Sequence, residues 1–341
     1  MRAALPGGGR GDHLLPHVSR AAAARGARPA GRVRIEARAK LNLGLAVGPR
    51  RADGFHDLAT VFQSISLADT LLVAPRRRGF RLAVRHEPAW TRPGAHGAGA
   101  AAAAVPRGPA NLVLRAARCF ASRYGIGGAK LTLIKRIPAG AGLGGGSADA
   151  AAALVGLARL HGFKPRAGEL RALGATLGSD VPFALFGGTA LGLGRGERLR
   201  RLRLARPFRA ILAVPAWRVP TADAFRRMDR NQYKYGLTRP TAILRFSQSL
   251  GREAITVEST ARLGNTFEEV LGKRRSEFLS LCARLRRAGA EGPHLTGSGS
   301  AVFAIVPAGL SARRIVERFI GQEAVYLIRS RRIGLSCTRL P

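Results

Sequence analysis

Three groups of residues in this 341-residue chain have types and spacings that suit chemistry. The first is the run Pro138-Ala139-Gly140-Ala141-Gly142-Leu143-Gly144-Gly145-Gly146-Ser147. A β-type stretch, 129–134, leads into it and an alanine-rich helical stretch follows. Glycines at this density allow positive φ and turn bare N–H groups toward a ligand. Ser147 or Asp149 can cap the helix, whose free N–H groups and dipole favour an anion. Strand, loop and helix N-terminus together make a phosphate cradle. No lysine follows the glycines, so the segment is not a P-loop. Gly140, Gly142 and Gly145 match GxGxxG, yet no acid-tipped strand follows about 20 residues on, as a dinucleotide fold requires. A flexible glycine linker is the bland alternative, and the strand and helix signals that abut the loop argue against it.

The second group is Lys40, Asn42 and Asp180. Lys40 and Asn42 lie two apart, on one face of an apolar strand and opposite Leu41 and Leu43. Such a pair marks either a wet outer face or the wall of a site. Asp180 sits between Gly178-Ser179 and Val181-Pro182-Phe183, after a helix stop, in a chain with only 20 acids. It either caps the next helical turn, or is partly buried and needs a cation or a task. The third group is Phe55-His56, just past the Asp53-Gly54 turn. These rings are either simply exposed or placed to stack on a flat ligand.

The surrounding elements follow from periodicity. Alternation through Val33, Ile35 and Ala37, then Leu41, Leu43 and Leu45, predicts a strand with a bend in its middle. Strand runs follow at 61–67, 70–73 and 80–84. A helix is predicted from Asn111, its N-cap, through Phe120, and another at 169–177. Residues 209–214 form a buried-strand candidate that opens a second unit, followed by a helix capped at Thr221. Helices are expected at 265–271, 277–288 and 311–319, a strand after the Gly-Ser turn at 296–300, and a last strand at 325–329. Residues 228–262 read as polar and irregular, and there is no internal repeat. Residues 91–109 are low in complexity and read as a surface insertion. Residues 1–31 suit either a disordered extension or a transit-like segment and are left out of the fold. The domain expectation is therefore 32–205 followed by 206–341.

The net charge is +37, but only six of the 57 basic residues are lysines. Scattered arginines with 6% aromatics fit compositional bias better than a specific nucleic-acid surface. In that background a surviving lysine suggests a need for a compact point charge. No apolar run approaches the length of a membrane helix. Cys119, Cys282 and Cys337 lack metal-ligand spacing and read as reduced thiols.

Three motifs in this order resemble the GHMP kinase superfamily: Ala37–Leu43, Pro138–Ala150 and Thr296–Ile305. The Arg51–His56 segment, the triple glycine, residues 176–197 and the Pro220–Phe225 run resemble, within it, the 4-diphosphocytidyl-2-C-methyl-D-erythritol kinases. Arg38 stands where that family usually has Pro, and Phe55 where it has Tyr. The resemblance implies an α+β fold of two domains, a ribosomal-protein-S5-like nucleotide domain and a ferredoxin-like C-terminal domain, with the active site between them. It implies ATP-dependent phosphorylation of the substrate's 2-hydroxyl, in the non-mevalonate route to isoprenoids. Asp180 would be the base or hydroxyl orienter and Lys40 its cationic partner, while Asn42 would hold substrate. Residues 138–147 would cradle ATP, with Ser147 near Mg2+ and with Asn111 and Lys135 at the adenine. Phe55 and His56 would hold cytosine, with Thr221 and Phe225 nearby. It further implies a monomer or weak homodimer with no specific nucleic acid or membrane partner, in a bacterial cytoplasm or, given a transit segment, a plastid. Homoserine or mevalonate kinases, a basic nucleic-acid-binding module and an inactive paralogue are the competing readings.

Overall fold

In the computed structural model, residues 31–87, 105–235, 254–261, 263–319, 321 and 323–340 are described. The expectations for 1–30, for most of the 91–109 insertion and for 236–253 lie outside these residues.

β1 (Arg32–Arg50) and β2 (His56–Pro75) are long antiparallel partners and the backbone of the first sheet. Their register slips between Arg38 and Lys40 and again between Asn42 and Gly44, which places the expected bend beside Lys40. The two runs read at 61–67 and 70–73 are one continuous strand. β3 (Gly79–His86) pairs in parallel with β4 (Gly128–Lys135), and β5 (Thr189–Leu193) joins β2 to β6 (Arg198–Arg201). α1 (Leu112–Tyr124) starts as expected, with the Asn111 side-chain oxygen Oδ1 accepting from the Val113 N–H at 2.8 Å. α2 (Gly145–Leu160) is apolar nearly all round and correspondingly buried, between the sheet and α1. α3 (Ala167–Ala175) and the short α4 (Val181–Phe186) complete this layer.

The second sheet has the order β10-β7-β9-β8, all antiparallel: β7 (Arg209–Val214), β8 (Glu291–Leu295), β9 (Val302–Ile305) and β10 (Ala324–Arg329). Numbered within the unit, this is 4-1-3-2. α5 (Thr221–Tyr235), α6 (Val257–Ala261) and α7 (Arg275–Arg287) lie between its first two strands, and α8 (Ala312–Arg318) lies between the last two. That is the ferredoxin-like arrangement expected of the second unit. Leu41, Leu43 and Ile65 of the first sheet pack in one cluster with Phe303 and Tyr326 of the second, so the two sheets share a core.

Three expectations need correction. Within the stretch read as irregular, residues 228–235 continue α5 and Val257–Ala261 is α6. The stretch 265–271 is a 3-10 turn, Thr266–Val270, capped by Asn265. Val325–Arg329 is not the last strand. β11 (Leu335–Leu340) follows it and pairs with Arg32–Ala37 of β1 at the edge of the first sheet. The expected 206–341 unit therefore gives 335–340 back to the first.

Candidate active site

The site forms where the glycine loop meets the bend of β1 and the turn before β9. The Lys40 N–H donates to the Leu143 carbonyl at 3.0 Å, and the Ala301 N–H to the Ala141 carbonyl at 3.2 Å. Gly142 has φ +81, and a Cβ there would run into the Thr296 carbonyl. Only glycine seats the loop this closely. Gly144 (φ +68) is the N-cap of α2, with no side-chain cap bond. Ser147 and Asp149, read as caps, instead lie within the first turns of the helix.

Lys40 is buried, and its ammonium donates to Asn42 Oδ1 at 2.5 Å and stands 3.7 Å from Asp180 Oδ2. Asn42 Nδ2 donates one N–H to the Thr60 hydroxyl at 2.7 Å, which orients the amide toward Lys40. Burial pushes the Lys40 pKa down, against the opposing pull of Asp180. Asp180 occupies the N-cap position of α4 but makes no cap bond. Its carboxylate turns instead to Lys40 and the loop. A Cβ on Gly144 would stand 3.5 Å from Asp180 Oδ2 and 3.0 Å from Lys40 Cγ. The capping alternative for Asp180 thus fails, and the Lys40 and Asn42 pair is a site wall.

Beneath the loop lies a buried triad that the sequence did not reveal. The Lys135 ammonium donates to Asp149 Oδ2 at 2.8 Å and to Asp69 Oδ2. Asp69 Oδ1 also accepts from the Arg136 and Ile137 backbone N–H groups, at 2.5 and 2.9 Å, where β4 passes into the loop. Burial would lower the Lys135 pKa, but Asp149 and Asp69 outweigh it and hold it above the ordinary lysine range. Burial, and then repulsion from Asp69, hold the Asp149 carboxyl well above the usual carboxylate range. Asp149 Oδ1 is buried without a hydrogen-bond partner.

At the far end, His56 stacks on Phe225, with centroids 4.9 Å apart and ring planes 26° apart, and Phe225 meets Phe267 edge-on. His56 Nδ1 faces the Gly48 carbonyl at 2.9 Å and Nε2 faces Asp229 at 3.2 Å. His56 is therefore a buried wall of this end rather than a loop ring, whereas Phe55 is 47% exposed. Thr221 is the first residue of α5, not its cap, and its hydroxyl lies 2.9 Å from that of Ser298.

All of these positions line one cleft of about 870 Å3: Lys40, Asn42, Phe55, His56, Asn111, Lys135, residues 138–147, Asp180, Thr221 and Phe225. The structure adds Thr60, Asp149, Arg195 and Ser298 to its walls. Asp149 was read from the sequence only as a possible helix cap, not as a partner of Lys135. Arg195 had no signal among 51 arginines.

Residues 111–188 match the family of GHMP kinases N terminal domain. The 4-diphosphocytidyl-2-C-methyl-D-erythritol kinase of Moorella thermoacetica is 40% identical over 289 residues, 83% of this chain and 93% of its own length. That of Thermus thermophilus is 39% identical over 82% of this chain and 90% of its own length. The chain belongs to the 4-diphosphocytidyl-2-C-methyl-D-erythritol kinase family.

A crystal structure of a 4-(cytidine 5'-diphospho)-2C-methyl-D-erythritol kinase superposes with a TM-score of 0.67 at 34% identity, covering 87% of this chain and 98% of that one. The homoserine kinase of Cytophaga hutchinsonii shares the fold at 18% identity and a TM-score of 0.64, covering 95% of this chain and 100% of its own. In this chain the cleft lies between the glycine loop and residues 221–225 and 297–298 of the second unit. No helix among the described residues is long and apolar enough to cross a membrane.

Proposed function

We propose that this family member transfers the γ-phosphoryl group of ATP to the 2-hydroxyl of 4-diphosphocytidyl-2-C-methyl-D-erythritol, giving the 2-phosphate and ADP. The observation that carries the reading is the Asp180–Lys40 pair. An uncapped carboxylate and a buried ammonium face the phosphate cradle from one side, and an aromatic wall closes the other end of the same cleft. Phosphoryl transfer needs little covalent chemistry from the protein; it needs alignment, a proton acceptor and cations.

In this reading Asp180 orients the 2-hydroxyl and accepts its proton as the oxygen attacks phosphorus. Lys40 stands beside the Asp180 carboxylate and offsets the charge that builds on the transferring group. Asn42 and Thr60 fix the Lys40 ammonium. Residues 138–147 receive the ATP phosphates on backbone N–H groups, and Asn111 and Lys135 flank the adenine end. Asn111 does so while holding the start of α1, and Lys135 while bound to its two carboxylates. Phe55, His56, Thr221 and Phe225 form the cytosine end.

No cluster of three or more His, Cys, Asp or Glu able to hold a metal ion occurs among the described residues. In this reading Mg2+ would arrive on the nucleotide, carried mainly by phosphates and water. Ser147, whose hydroxyl would lie 3.9 Å from a Cβ on Gly178, two residues before Asp180, would be the side chain beside that ion. The ion would supply charge neutralisation on the phosphates.

The test is ADP release with ATP and the diphosphocytidyl substrate, for wild type and Asp180→Asn. The expected outcome is a kcat loss of about 10^2- to 10^4-fold with ATP affinity kept. A folded wild type that turns over homoserine or mevalonate but not this substrate would refute the assignment.

A further inference from the structure

Three lysine or arginine side chains line the cleft: Lys40, Lys135 and Arg195. Lys40 is engaged by Asn42 and Asp180, and Lys135 by Asp69 and Asp149. Arg195 alone of the three has no carboxylate partner among the described residues. Its guanidinium lies over the exposed ring of Phe55, 4.5 Å from the centroid. The nearest acid in sequence, Glu197, is used otherwise, accepting from the Arg195 backbone N–H at 2.7 Å and so closing the β5–β6 turn.

The place of this turn gives the free cation its meaning. A Cβ on Gly196 would lie 3.4 Å from Phe62 and 3.8 Å from Leu58, so the turn rests on those two side chains. The Lys40 ammonium stands 5.8 Å from the same Phe62 ring. The turn therefore reaches from the wall beside Lys40 to Phe55, the neighbour of His56. A molecule with its hydroxyl at Asp180 and its pyrimidine at the aromatic end must pass its middle beneath Arg195. In the proposed substrate that middle is a diphosphate, and Lys40 and Lys135 already have carboxylates beside them.

Resting on the function proposed above, we propose that Arg195 is the diphosphate-binding residue for the cytidine substrate. A planar guanidinium fork matches paired phosphate oxygens, and stacking on Phe55 holds it ready while leaving its N–H groups available.

Titration calorimetry of the full chain with CDP, CMP and cytidine tests this, on wild type, Arg195→Gln and Arg195→Lys. Wild type is expected to bind CDP more tightly than cytidine. Arg195→Gln should weaken CDP by about 10- to 100-fold and leave cytidine and ATP within about threefold. Arg195→Lys should fall between. In turnover, the KM for the diphosphocytidyl substrate should rise in Arg195→Gln while kcat stays within several-fold. Equal weakening of cytidine and CDP would overturn the proposal, because Arg195 would then merely support Phe55. Unchanged CDP affinity would overturn it too. A folded, ATP-binding wild type that takes none of the three cytidine compounds would instead overturn the functional reading itself.

Discussion

Lys135→Met probes the buried triad beneath the glycine loop. Methionine keeps an unbranched apolar stem of similar length and removes only the charge and its hydrogen bonds. The side chains of Lys135, Asp69 and Asp149 are 4%, 0% and 4% exposed, so solvent cannot take the cation's place. Removing one member of a buried ion pair costs about 3–5 kcal/mol, because the remaining charge is left uncompensated. Against a total stability of about 5–15 kcal/mol this is a large fraction. Asp149→Asn should behave differently. It keeps an oxygen for Lys135, leaves Lys135 and Asp69 as a neutral pair, and removes a carboxylate that burial and Asp69 already oppose. Its expected cost is about 1 kcal/mol or less. The pH dependence fixes the sign. The Asp149 pKa is raised in the folded state, so its contribution is fully present below the unfolded value and is lost as pH rises through the folded one. Asp149→Asn should therefore gain on wild type as pH increases. Urea unfolding at constant m, in a series from about pH 5 to about pH 8, reads both effects. A Lys135→Met cost below about 1 kcal/mol, or a flat difference between Asp149→Asn and wild type, would refute the reasoning.

Other outcomes follow from the cleft. Burial lowers the Lys40 pKa, so kcat should fall on the alkaline side well before the ordinary lysine value of about 10.4. Lys40→Arg should lower kcat yet remove that limb, since a guanidinium stays protonated, and a pH–rate profile of both proteins checks it. Gly142→Ala should weaken ATP by about fivefold or more, from positive φ together with the Thr296 carbonyl. Gly162→Ala, with φ +74 and open space around it, should lower stability slightly and leave ATP binding intact in the same titration.

The position of the cleft was legible because its residues are out of place chemically. Lys40 interrupts an apolar strand, glycines crowd a strand–helix junction, and Asp180 precedes an apolar turn. The lysine argument held for only two of the five lysines whose surroundings are described. Lys40 and Lys135 are buried in the cleft, whereas Lys130, Lys164 and Lys273 are exposed. The roles of Asn42 and Lys135 were harder to read, since each depends on a partner brought in by folding. Asp69 lies 66 residues from Lys135, and Thr60 lies 18 from Asn42. β8 was hidden by Gly292 and Pro293, which break a strand signal. β11 was hidden because it is an edge strand, with no buried face to impose alternation.

The pairing of β11 with β1 makes the second unit an insertion in the first, held by two crossings of the chain. A unit tethered at both ends has less freedom to turn away from its host than one hung on a single linker. During synthesis the outer edge of β1 emerges early and waits about 300 residues for its partner. At ribosomal rates that is roughly 15 to 60 seconds with an unsatisfied strand edge. The first sheet is thus finished last, and truncation just before Leu335 would release a chain with its cleft residues in place and the outer edge of Arg32–Ala37 unpaired.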